Sequence, residues 1–123
     1  MTDKKKVKIN TPLSSRFRGY LPVVLDIETA GFIAATDAIL EVSAVILGMD
    51  DRDHLTPEVT HTYHVQPFEG ANLDEASLKF TGIDPFAPDR QDMPENEALN
   101  QMFAKVRKEL KSVGCKRAIL VGH

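Results

Sequence analysis

The stretch Leu21-Pro22-Val23-Val24-Leu25-Asp26-Ile27-Glu28 decides the fold, because its first seven residues read as one β-strand with apolar side chains on both faces. Pro22 stands at its start, where a missing N–H is tolerated. A strand apolar on both faces belongs in the interior of a sheet. Beyond the Ala30-Gly31 turn, residues Ala38 to Leu47 are long enough for strand or helix, but Val and Ile enrichment and the Gly48 stop predict a second strand. Thr60 to Val65, rich in Thr, Tyr and Val and ended by Pro67, predicts a third, partly exposed strand. The short connections make these three antiparallel neighbours.

Downstream the period changes. Asn72 to Phe80 suits a short helix, with Asp74 and Glu75 in its first turn and Gly82 as its stop. After the loop punctuated by Pro85, Pro88 and Pro94, a stripe of Leu99, Met102, Phe103, Val106, Leu110 and Val113 marks a long amphipathic helix, closed by Lys108, Lys111 and Gly114. Phe103 lies on that stripe and is read as core. Ala118 to Val121 is a fourth strand, and a crossover helix places it parallel to an earlier one. The fold class is α/β, a mixed sheet with flanking helices. An apolar strand directly before Gly122 and His123, with no helix to cover it, reads as a domain truncated after its fourth strand.

At 123 residues the chain holds one domain, and its single Cys115 excludes a disulfide scaffold and fits a reducing compartment. No apolar run approaches the roughly 18 residues of a membrane span, and the Lys-rich start lacks a signal-peptide core. The expected location is the cytoplasm, away from membranes. The net charge of −3 hides a strong asymmetry. Residues 1–18 carry six basic side chains against Asp3, and residues 104–123 carry six against Glu109. The body between them is strongly acidic, with three basic and 16 acidic residues. Charge alone says only that the ends attract polyanions and the centre attracts cations. Residues 1–15 lack apolar periodicity and read as a flexible basic arm, with the folded part beginning at Arg16.

Asp26 and Glu28 are the most informative pair. At positions i and i+2 of a strand both carboxylates project from one face. Two carboxylates on an apolar strand resist desolvation and repel each other, a conflict that divalent cations relieve. Mg²⁺ and Mn²⁺ prefer such oxygen ligands, and two ions roughly 3.5–4 Å apart can hold the attacking and leaving oxygens of a phosphodiester in line. An isolated Asp-x-Glu could equally cap a turn and face solvent, so the spacing by itself is a weak signal.

Its surroundings strengthen it. The run Arg16-Phe17-Arg18-Gly19-Tyr20-Leu21-Pro22-Val23-Val24-Leu25-Asp26-Ile27-Glu28-Thr29-Ala30-Gly31-Phe32 resembles the first motif of the DEDD exonuclease superfamily, Asp-x-Glu-Thr, and within it the ribonuclease T family. The resemblance continues through Thr36 to Glu41, Gly70 to Leu73, Phe80 to Pro85 and Gly114 to Ile119. It implies a ribonuclease H-like fold and a homodimeric 3′-to-5′ exonuclease that trims transfer RNA and other RNA 3′ ends with two Mg²⁺ ions, Mn²⁺ being a substitute. Asp26 and Glu28 match its first two catalytic metal ligands. Phe32 and Phe80 match positions that stack terminal bases, and stacking is worth roughly 1–3 kcal/mol per base. The family also uses a basic patch of one subunit to guide RNA into its partner's site. The candidates for it are Arg16, Arg18, Lys108, Lys111, Lys116 and Arg117, since a carboxylate site repels phosphate.

Two departures from the family pattern stand out. The acidic base-contacting position four residues before Phe80 is Ala76, with Glu75 one step earlier, so end-sequence preference is expected to differ. The family's second motif, His-Asn followed by Phe-Asp, starts where this sequence stops at His123, and the third motif, with the general-base histidine, is absent. His54, His61 and His64 lie outside that context and read as surface or packing residues. Residues 1–123 alone are therefore expected to be inactive. The competing reading is a non-catalytic, single-strand-binding or dimer-forming remnant. Proofreading on a DNA polymerase is disfavoured by the flanking motifs, with single-stranded DNA kept as a second substrate class.

Overall fold

The computed structural model describes residues 11–122. Elements follow in the order α1 (Pro12–Arg16), β1 (Tyr20–Thr29), β2 (Ile39–Met49), β3 (Leu55–His64), α2 (Glu75–Thr81), α3 (Glu95–Ser112) and β4 (Arg117–Val121). The strands form one mixed sheet in the order β3-β2-β1-β4. β1 is interior, as its two apolar faces predict. It pairs antiparallel with β2 and parallel with β4, while β2 pairs antiparallel with β3. The α3 crossover delivers the parallel strand.

The register against β2 sorts the side chains of β1. Val23 stands opposite Ile46 and Leu25 opposite Ala44 on the face that packs against α3. There Leu21, Val23, Val42, Ala44 and Ile46 are buried with Ala98, Met102 and Val106 of α3 and Leu13 of α1. Phe103 is partly buried against the same cluster, in agreement with its place on the apolar stripe. A second, smaller cluster of Ala30, Ala38 and Leu40 receives Ala71, Leu73, Leu78 and Ile83, and so seats the segment around α2.

The basic arm read over residues 1–15 needs correction at its end. Residues 1–10 lie outside the described residues, but from Thr11 the chain is structured. Thr11 caps α1 through a reciprocal pair of bonds, its Oγ1 accepting from the Ser14 N–H at 3.1 Å and its own N–H donating to Ser14 Oγ at 3.0 Å. Pro12 occupies the first turn, where its missing N–H costs nothing. Thr11 Oγ1 also donates to the Val113 carbonyl at 2.7 Å, which ties α1 to the end of α3.

One buried carboxylate organises the turn after β1. Asp37 is 7% exposed, and Oδ2 accepts the Ile33 N–H at 2.9 Å while Oδ1 accepts the Thr36 hydroxyl at 2.9 Å and the Asn72 side-chain amide at 3.0 Å. Gly31 lies against the same carboxylate so closely that a Cβ there would collide with it. The Ile33 N–H, then the Asn72 amide and the Thr36 hydroxyl, hold the Asp37 pKa below the usual aspartate value against the opposing effect of burial.

Two predictions follow from this packing. Met102→Ala removes a fully buried side chain from the β-sheet–α3 interface and should cost about 2–5 kcal/mol, read as a lowered urea midpoint. Because the Asp37 pKa is depressed in the fold, its ionised form contributes stability above the unfolded value, and that contribution is lost as pH falls through the folded one. The stability gap between the unsubstituted protein and Asp37→Asn should thus be full near neutrality and close below about pH 4. Urea midpoints across a pH series would show it, and a gap that stays constant into acid would contradict the ionic clamp.

Candidate functional site

Asp26 and Glu28 lie within β1 on the face opposite Val23 and Leu25, with Asp26 beside Ser43 and Glu28 beside Glu41 on β2. Asp26 sits mid-strand and does not cap a turn. Asp26 is exposed and Glu28 half-buried. Among the described residues neither carboxylate has a hydrogen-bond or ion-pair partner, whereas other acidic groups, such as Asp92 with Arg90, are paired. The neighbouring rows on this face are polar across three strands. Ser43 and Thr62 share a hydrogen bond of 2.9 Å, and Glu41 faces His64 Nδ1 at 3.5 Å.

The register of the ladder shifts between Glu28 and Thr29, which still pairs with Ile39, and the chain then turns through Gly31 to Phe32. The Thr29 hydroxyl donates to the Gly31 carbonyl at 2.7 Å and tightens that turn. Phe32 is 99% exposed and Phe80, on α2, is 91% exposed, so neither is a core residue. Both line a cleft of about 690 Å³ together with Asp26, Glu28, Asp74, Ala76, Ser77 and Thr81. Four sequence-derived candidates therefore meet in one place.

α2 presents its share of the cleft through local chemistry. Asp74 is its N-cap, with Oδ2 accepting the Ser77 N–H at 3.0 Å and the Ser77 hydroxyl at 2.9 Å, and Gly82 ends it in the left-handed conformation with φ 72°. Glu75 is not among the residues lining the cleft, so the acidic group that the start of α2 brings to it is Asp74. Asp74, Ser77 and Asp37 were not among the site residues expected from the sequence. The first two carried an N-cap signal that reports a helix start without reporting what it borders.

Asp26 and Glu28 supply hard oxygen donors on one face of a rigid strand, which fits Mg²⁺ or Mn²⁺. Among the described residues no group of three or more His, Cys, Asp or Glu is arranged to hold a metal ion. The pair by itself offers two candidate oxygen ligands, fewer than a complete cation shell requires.

The basic candidates gather elsewhere. All six are exposed. Arg18 precedes Gly19, whose carbonyl accepts the Lys116 N–H at 2.7 Å, and Arg117 pairs with Tyr20 where β1 and β4 begin. Arg16 ends α1, and Lys108 and Lys111 occupy the last turns of α3. The start of β1 is roughly 20 Å from Asp26 along the strand, at about 3.3 Å per residue. His54 is largely exposed beside Asp50, and His64 is half-exposed, as surface histidines. Cys115 is buried in the main cluster, and burial pushes its thiol pKa up. Among the described residues no helix is long and apolar enough to cross a membrane.

Comparison with known proteins places this geometry. Over 85% of the chain the fold matches Escherichia coli exonuclease I in complex with a dT13 oligonucleotide, at TM-score 0.63 and 15% identity, covering 20% of that chain. The same enzyme with a dA16 oligonucleotide matches at TM-score 0.62. The mixed sheet with flanking helices is thus that of the ribonuclease H-like exonucleases. Among curated relatives, a protein named ribonuclease T from Hahella chejuensis is 59% identical over 113 residues, which are 92% of this chain and 52% of the relative. Ribonuclease T of Marinobacter nauticus is 54% identical over 112 residues, 91% of this chain and 51% of the relative. The chain spans about half the length of these relatives. Residues 23–123 match the family described as RNase_T, exonuclease, and with the shared fold and these identities the chain belongs to the RNase_T exonuclease family.

Proposed function

We propose that the whole protein is a 3′-to-5′ exoribonuclease, and that the chain from Thr11 onward belongs to the amino-terminal part of its exonuclease domain. Its substrates are single-stranded RNA 3′ ends, those of transfer RNA among them, with single-stranded DNA as a second class. The observation that carries this reading is the cleft in which Asp26 and Glu28 stand beside the exposed rings of Phe32 and Phe80. Neighbouring carboxylates repel each other and rings left almost wholly in water contribute little to a fold; divalent cations relieve the first and the unstacked bases of a frayed nucleic-acid end make use of the second.

The roles divide by chemistry. Asp26 and Glu28 hold divalent cations, Mg²⁺ with Mn²⁺ as substitute. When bound, a pair of such cations supplies Lewis-acid stabilisation of the phosphodiester and its attacking and leaving oxygens. Phe32 and Phe80 stack the terminal bases and accept any sequence, because every base has a π-face. The cluster of Arg16, Arg18, Lys108, Lys111, Lys116 and Arg117 holds phosphates at a distance from the carboxylates. Its separation from Asp26 along β1 supports service to a second subunit, so the protein acts as a homodimer. Its place of action is the cytoplasm.

A binding protein without chemistry would share the aromatic and basic features, so the discriminating experiment targets a carboxylate. Asp26→Ala in the whole protein should lower kcat/KM for Mg²⁺-dependent shortening of a 3′-ended RNA oligonucleotide by at least about 100-fold, beyond what outer-shell partners of metal ligands cost. Unchanged shortening would reject the enzyme reading of this cleft. Phe80→Ala should instead raise KM roughly 5- to 150-fold, the equivalent of about 1–3 kcal/mol of lost stacking, with a smaller effect on kcat. Steady-state kinetics on the same oligonucleotide separates the two.

A further inference from the structure

We propose that Asp37 is a positioning residue for substrate, whose carboxylate sets the placement of the Phe32 ring relative to the Phe80 ring and so the grip on a single-stranded 3′ end. The inference rests on the reading of the cleft as the place where that end is held. It assigns a role to a residue that lies outside both the carboxylate pair and the stacking pair.

A ring that is 99% exposed cannot be held by its own packing, so Phe32 stands only as firmly as the backbone on either side of it. Both sides end on Asp37. Before the ring, buried Gly31 abuts the carboxylate with no room for a Cβ. After it, the Ile33 N–H donates to Oδ2 at 2.9 Å, and the Asp37 N–H returns a bond of 2.8 Å to the Ile33 carbonyl. The other oxygen serves the other ring. Oδ1 accepts the Asn72 amide at 3.0 Å and the Thr36 hydroxyl at 2.9 Å, and the Asn72 N–H donates to the Thr36 carbonyl at 2.7 Å. Two residues later the Asp74 N–H donates to the Ala30 carbonyl at 2.8 Å, and Asp74 caps the helix that carries Phe80.

α2 needs such anchorage. None of its seven residues is buried, and its attachment consists of this hydrogen-bond chain and the contacts of Leu78, Leu73 and Ile83 on the Ala30–Ala38–Leu40 cluster. One carboxylate thus divides its two oxygens between the two aromatic platforms. Asparagine at position 37 could keep one acceptor, but its amide nitrogen cannot accept the Ile33 N–H. Loss of one side of the bracket should let the rings move independently, and ordering them again would weaken binding.

The test is the affinity of the whole protein for a fluorescein-labelled single-stranded RNA oligonucleotide in EDTA, read by anisotropy, with circular dichroism to confirm folding. Asp37→Asn should raise Kd about 10-fold, within the range of coupling between contacting groups. Asn72→Ala, which removes only the Oδ1 link to α2, should raise it less and serves if Asp37→Asn fails to fold. Phe80→Ala should cost less in either of these backgrounds than in the unsubstituted protein, a coupling that general destabilisation would not produce. An unchanged Kd, or a Phe80→Ala penalty as large in these backgrounds as in the unsubstituted protein, would overturn the inference. If the unsubstituted protein binds with this coupling yet shortens no RNA in Mg²⁺, the exonuclease reading falls and the role of Asp37 stands.

Discussion

The alternation of β1 between β2 and β4 is the constraint on which the rest depends. Ladder pairing on both edges fixes its register, and the burial of Leu21 and Val23 against α3 forbids a slip by one residue. That same register leaves Asp26 and Glu28 no choice of face. The cost of placing two carboxylates on an interior strand is therefore met by the packing on its other side. The register of the ladder shifts only after Glu28, and irregularities of this kind re-aim a chain beside functional sites. Here the chain leaves toward Gly31 and Phe32.

Much of this was legible from residue pattern. The interior strand followed from Leu21 to Ile27, the long helix from its apolar stripe, and the parallel fourth strand from the crossover. The sequence signal failed where structure is short or assembled from distant parts. α1 has five residues, too few for a periodicity, and its local traces were confined to the Thr11–Ser14 capping pair and Pro12. β3 begins at Leu55, five residues before the predicted Thr60, because Pro57 argues against a strand unless that strand lies at an edge, as β3 does. Asp37 lies inside the Thr36 to Glu41 block of family resemblance, with no local signal of its own. Its significance depends on Asn72, 35 residues away, and no window of sequence contains both partners.

Electrostatics also distributes along this framework. Glu28 and Glu41 stand opposite each other on neighbouring strands, so the site repels a phosphate chain unless cations intervene. Arg18, Lys116 and Arg117 lie where β1 and β4 begin, joined by the bond from the Lys116 N–H to the Gly19 carbonyl. The basic residues at this end and the carboxylate pair thus lie at opposite ends of one strand.

The aromatic pair carries the same logic into energetics. Burial of apolar surface stabilises a fold by roughly 25 cal/mol per Å², so two phenylalanines left almost wholly in water contribute little to stability. Alanines occupy the nearby core instead, at positions 30 and 38. Exposed rings repay their exposure only by stacking on something else, and flexible rings lose part of that gain to ordering. A fold that leaves the rings bare therefore gains from rigid supports beneath them. The supports are small polar devices: the Thr29 hydroxyl on Gly31, the two oxygens of Asp37, and the Asp74 cap of α2. None adds to the hydrophobic core, and all act on the backbone that aims Phe32 and Phe80 into the cleft with the two carboxylates.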